Sequence, residues 1–181
     1  MGLATKDVRV IMEKMMDQAK EIRSGYKFSE DEKMMPIAFI NADDLTVVAM
    51  CWNDHKEKYQ MAAAIKTMAR MQKATSLSFV TDARTVKRRE FFEYFNIQPN
   101  IDYPTYKTLY SKILRDHGGE VKNLPRHLWH DILMVMTNGP EIPLVVQFQS
   151  YIEGDNDTVK YTETDLIHDS YKSDLLTDWW D

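Results

Sequence analysis

The sequence predicts an α+β fold: a mixed or antiparallel sheet of about five to six strands with helices packed on it. Three observations carry this. Apolar residues recur at helical spacing in some segments and form short uninterrupted runs in others. Asn, Asp, Gly and Pro punctuate the boundaries between them. Of 181 residues, 44% are hydrophobic and 28% charged, the balance of a chain that closes around a core. The expected order is helix, two strands, helix, strand, a helical insertion, then three more strands.

Thr5 or Asp7 can cap the first helix. Its apolar positions Val8, Ile11, Met12, Met15, Ala19 and Ile22 follow three- and four-residue steps and stop near Ser24 and Gly25. A polar stretch from Lys27 to Lys33 leads into two apolar runs, Met35 to Ile40 and Leu45 to Cys51, separated by Asn41-Ala42-Asp43-Asp44. Asn and Asp side chains bond to nearby backbone in tight turns, so a β-hairpin is predicted here. Neither run alternates with polar residues, which predicts strands covered on both faces. Asp54 then opens a capping box in which Glu57 is expected to bond back to the cap amide. The helix that follows, His55 to Gln72, carries Met61, Ala64, Ile65, Met68 and Met71 as its apolar stripe, with Tyr59 and Ala62 beside it. Ser76 to Thr81 reads as a third strand with Leu77 and Phe79 on one side.

The segment from Asp82 to Pro125 is less regular. Arg84, Lys87, Arg88 and Arg89 precede Phe91, Phe92, Tyr94 and Phe95. Further on, Asp102 and Pro104 suit the start of a helix, and Tyr106, Leu109, Tyr110, Ile113 and Leu114 form its stripe up to Gly118-Gly119. Asp131 to Asn138 and Ile142 to Tyr151 are read as a second hairpin around Gly139-Pro140, and Thr158 to Thr162 as a weaker sixth strand. One domain is therefore expected over residues 1–164, with a helical insertion at 83–125 and an acidic, aromatic tail at 165–181.

Cys51 stands alone, which excludes an intrachain disulfide framework and points to a reducing, cytoplasmic setting. No apolar run reaches the roughly 20 residues of a membrane span. From Ile152 to Asp181 nine acidic residues face only Lys160 and Lys172, so the net charge of -5 belongs to the end of the chain. A body near neutrality argues against tight nonspecific DNA binding and leaves room only for a local basic site.

Pro36 opening the first strand, Lys56 to Tyr59 opening the second helix and Phe79-Val80-Thr81-Asp82-Ala83-Arg84 closing the third strand resemble a loose group of uncharacterised bacteriophage and bacterial proteins. The resemblance spans Met35 to Asp82, with the later hairpin as a fainter echo. In that group an acidic residue and an aromatic close the third strand; here Arg84 stands in place of the aromatic. The resemblance implies a phage-type origin, hence a host cytoplasm, and transfers no catalytic residue. The element order is also similar to the profilin and roadblock type of fold, which implies a sheet used for dimerisation and partner binding.

Several constellations compete for chemistry. Asp54, His55, Asp82 and Arg84 fall at strand ends, and if the second and third strands are adjacent and parallel they form a polar pocket for acid-base work or phosphate binding. Against this, Asp54 has a sufficient task as a helix cap. His127, His130 and Asp131 offer metal-ligand atoms, but no third ligand stands at a recognised spacing, so they read better as the mouth of a strand beside Trp129. Arg84, Lys87, Arg88 and Arg89 with the following rings suit single-stranded nucleic acid, although Phe91, Phe92 and Phe95 have the spacing of a buried stripe. Cys51 lacks a catalytic companion, and no glycine motif signals a nucleotide fold, so no cofactor is expected. Most of the twelve methionines read as core filler. In the tail, Leu175, Leu176, Trp179 and Trp180 are fringed by acid and suit either docking on the domain or presentation to a partner.

The expected function is that of a non-enzymatic protein-interaction or regulatory protein, with homodimerisation among its modes and the sheet and tail as binding surfaces. The alternatives are a small hydrolase or nuclease-like enzyme and a nucleic-acid or nucleotide-binding module. No membrane partner is expected.

Overall fold

A computed structural model of the chain describes residues 5–25, 34–153 and 159–168. The fold is α+β, with four helices and a six-stranded antiparallel sheet among the described residues. In chain order the elements are α1 (Thr5–Gly25), β1 (Ile37–Asn41), β2 (Leu45–Ala49), α2 (His55–Met71), β3 (Ser76–Val86), α3 (Arg88–Tyr94), α4 (Tyr103–Asp116), β4 (Trp129–Gly139), β5 (Ile142–Glu153) and β6 (Val159–His168). Two 3-10 turns, Val121–Asn123 and Arg126–Leu128, precede β4. The strand order is β2-β1-β3-β4-β5-β6. Among the described residues no helix is long and apolar enough to cross a membrane.

The chain divides into two compact units, one drawn from residues up to 82 and from 133 onward, the other from residues 83–132. In the first unit, alternation along each strand sorts the apolar side chains between two cores. Ala38, Ile40, Leu77, Phe79, Met136 and Val146 point to the face where Ala62, Ile65 and Ala69 of α2 pack. Phe39, Val80, Leu133, Val135 and Tyr151 point to the opposite face, under Met15, Met16 and Ala19 of α1. β1 is covered on both faces, as its apolar run predicts, with α1 over β5 and α2 over β1. The β2 run, expected to be covered as well, is only partly buried because it is the outer strand, and its Val47 is 51% exposed.

The structure corrects the reading of α2. Its buried face is Ala62, Ile65 and Ala69, whereas Met68 and Met71 are 39% and 80% exposed. Small alanines let a helix approach a sheet closely, so the bulkier methionines are left at the flank. At its start, Asp54 accepts from the Glu57 amide at 2.8 Å. Glu57 in turn reaches past the cap to Asn53, accepting from both its amide (2.7 Å) and its side chain (3.0 Å). The box is therefore closed one residue earlier than expected.

β3, β4, β5 and β6 all run beyond their expected ends. In β3 the added residues include Arg84, whose cross-strand partner Asp131 rewards extended backbone that apolar periodicity does not reveal. At the turn between β4 and β5, a Cβ at Gly139 would collide with the Thr75 carbonyl oxygen, so only glycine allows this backbone approach.

Residues 83–132 close a separate aromatic core of Phe91, Phe92, Ile97, Ile113, Leu124 and Trp129. Phe91 packs at a tilt against Phe95 and Tyr110, with centroids 4.9 and 5.7 Å apart, and Phe92 likewise against Tyr106 at 5.3 Å. The helical spacing of the three phenylalanines thus serves packing. α4 begins as its sequence predicts: Asp102 accepts from the Thr105 amide at 2.9 Å, and these bonds from Thr105 hold its carboxyl below the usual aspartate range.

Candidate functional site

The expected strand-end pocket rests on a premise that the sheet overturns: β2 and β3 are not neighbours, because β1 lies between them and runs antiparallel to each. The four residues proposed for it have separate settings. Asp54 is the exposed cap of α2, and His55 is the first residue of that helix. Asp82 and Arg84 are engaged with different partners.

Asp82 is buried in the first unit, where α1, β3 and β5 meet on one carboxylate. Arg23, from the last turn of α1, donates Nε to Oδ2 at 3.0 Å, and the side chains of this pair are 3% and 0% exposed. The Met34 amide donates to the same oxygen at 3.1 Å. Tyr151 donates its hydroxyl to Oδ1 at 2.5 Å, the short contact of a charge-assisted bond. A register shift between Gln149 and Tyr151 on β5 accompanies this placement, as bulges commonly re-aim a side chain. Burial, followed by the Asp82 charge, pushes the Tyr151 phenol far above its ordinary range. The Arg23 guanidinium lies 5.2 Å from the Tyr151 ring centroid. With its charge and hydrogen bonds answered inside the core, Asp82 has the environment of a structural anchor rather than of an exposed acid.

In the second unit, Arg84 and Arg126 flank Trp129, with guanidinium carbons 5.4 and 4.0 Å from its ring centroid. Asp131 answers both, at 3.3 Å to Arg84 Nε and 3.5 Å to a terminal nitrogen of Arg126. The indole donates to the Leu124 carbonyl at 3.1 Å, so its polar handle is also satisfied. His127 sits edge-on to Tyr94, its centroid 5.6 Å away. His130 lies in β4. Among the described residues no group of three or more His, Cys, Asp or Glu side chains is placed to hold a metal ion. Comparison with known proteins finds no family model, curated protein or solved structure that matches this chain.

Of the basic residues singled out in the sequence, Arg88 and Arg89 are exposed while Lys87 is half-buried. Arg88 lies over the Phe92 ring at 5.1 Å, and Arg89 pairs with Glu93 at 3.0 Å. The rings behind them, Phe91 and Phe92, are core. Beside them is a shallow hollow of about 740 Å³ lined by Arg88, Arg89, Phe92, Glu93, Asn96, Ile97, Gln98 and Pro99. Leu175, Leu176, Trp179 and Trp180 lie outside the described residues.

Sequence reasoning passed over the outer strand β2. The Met50 amide bonds to the Pro36 carbonyl at 2.8 Å, while the Asn41 carbonyl accepts from Thr75 on the β3 side. With the paired register of β1 and β2, this alternation turns the backbone groups of Leu45, Val47 and Ala49 toward the open edge. Val47 is 51% exposed, and on the other face Thr46 touches Gln72 at the end of α2, next to the exposed Met68 and Met71. The readable signal was the composition Leu-Thr-Val-Val-Ala, which has no Lys, Pro or other device that keeps an edge strand from pairing.

Proposed function

We propose that this chain is a non-catalytic protein-interaction protein that receives an extended segment of a partner along β2. The observation that carries the reading is the β2 edge, unpaired among the described residues, with the N–H and C=O groups of Leu45, Val47 and Ala49 directed outward. Strand addition draws affinity from such main-chain groups and specificity from the side chains around them. Val47 supplies an apolar contact on one face, and Met68 and Met71 supply adaptable ones on the flank of α2.

Because the Val47 amide points away from β1, Val47→Pro removes an edge donor and leaves the β1–β2 ladder intact. The test is affinity capture of partners by wild-type and V47P chains, with melting temperature measured on both. Loss of a specific wild-type partner from a V47P chain of unchanged stability is expected. Equal capture by the two chains would exclude the edge as the binding surface.

A further inference from the structure

The hollow beside α3 has the chemistry of a nucleotide site, and we infer that it takes a nucleoside monophosphate unit, free or as part of a single strand. Three features converge there. The floor is apolar, formed by the buried Phe92 and Ile97 together with Pro99. Arg88 and Arg89, adjacent at the start of α3, line the hollow as well; Arg88 has no carboxylate partner among the described residues, and Arg89 pairs with an exposed one, Glu93. Asn96 and Gln98 also line the hollow, and both residues are exposed.

Each feature matches one part of the ligand. The volume, about 740 Å³, lies within the range of small-molecule sites. Guanidinium groups grip phosphate through paired N–H donors, and their planes also stack on bases. Arg88 already lies over the Phe92 ring, 5.1 Å from its centroid, so a base placed against the guanidinium would add to an existing cation–π contact. Side-chain amides carry a donor and an acceptor together, the pair that reads a base edge. The charge distribution agrees. Residues 83–132 hold nine Lys and Arg against six Asp and Glu, in a chain whose net charge is -5. The opposing feature is Glu93, which occupies Arg89 and repels phosphate; this makes it the most informative position to change.

The experiment is titration of the full chain with AMP, GMP, CMP and UMP, with inorganic phosphate, and with short labelled single strands of DNA and RNA. Saturable binding is expected for at least one mononucleotide, with phosphate alone weaker. Arg88→Ala and Arg89→Ala should each weaken it about tenfold, the loss of one charge-assisted contact. Glu93→Gln should strengthen it, because the mutation frees Arg89 and removes a repelling charge; a residue of purely structural role would not do so. If strands bind more tightly than mononucleotides, with log affinity falling against log salt at a slope of about -1.4 for two phosphate contacts, the unit is read within a strand. Equal affinity assigns the site to free nucleotides. Absence of saturable binding by both kinds of ligand, or R88A, R89A and E93Q chains that bind like wild type, overturns the inference. All three positions are exposed, so a melting temperature close to wild type is expected for each variant.

Discussion

Two arginine–carboxylate pairs in this chain have the same geometry and opposite surroundings. Arg23 and Asp82, in the first unit, meet at 3.0 Å with side chains 3% and 0% exposed. Arg89 and Glu93, in the second, also meet at 3.0 Å, but with side chains 86% and 66% exposed. Distance therefore says little about what a pair contributes. Inside the core, removing one partner strands a charge that water cannot reach. On the surface, water and salt replace the lost partner at almost no cost. Between these extremes lies Arg84–Asp131, at 3.3 Å and with 16% and 8% exposure.

Mutation tests this gradient directly. Asp82→Ala should cost about 3–5 kcal/mol, because it removes the buried carboxylate that Arg23 pairs with inside the core; urea denaturation measures it, and a loss below that of the more exposed pairs would contradict the ranking. Tyr151→Phe removes one hydrogen bond to the same carboxylate and should cost about 1.5–3 kcal/mol near neutral pH. The Tyr151 phenol has a folded-state pKa raised above its unfolded value, so its contribution is complete below about pH 10 and is lost as pH rises further. The stability gap between wild type and Y151F should accordingly narrow in alkaline urea melts. Asp131→Ala, where Arg126 is largely exposed but Arg84 and Asp131 are mostly buried, should cost an intermediate amount, about 1–3 kcal/mol. At the far end, Arg89→Ala should leave the melting temperature unchanged within error, whatever it does to ligand binding.

Local signals explain which parts of the fold could be read in advance. Asp54 and Asp102 announce their helices because a cap and its target amide lie three residues apart. The hairpin of β1 and β2 is similarly legible from Asn41 to Asp44. Asp82 was not, because its partners lie 59 and 69 residues away along the chain and nothing near them marks the meeting. The most visible signal was an arginine in the final turn of an otherwise apolar helix face, a position equally suited to a solvated helix end. For the β2 edge, the residue types were visible but the strand's outer place in the sheet was not. The same limit applied to the hollow beside α3: its basic rim was apparent, whereas the arrangement of Asn96 and Gln98 around an apolar floor follows from the backbone turn in which Asn96 adopts a positive φ of 53°.

The first unit is assembled from two stretches of chain separated by residues 83–132. During synthesis, Arg23 and Asp82 are both made before Tyr151, and α1 is made before the strands β4 and β5 that it covers. At about 5–20 residues per second, the interval between Asp82 and those strands lasts several seconds. Residues 83–132, contiguous and equipped with their own aromatic core, can fold within that time. Until β4 and β5 are made, the cores on the two faces of β1 and β3 lack Met136 and Val146 on one side and Leu133, Val135 and Tyr151 on the other, so the larger unit is completed last.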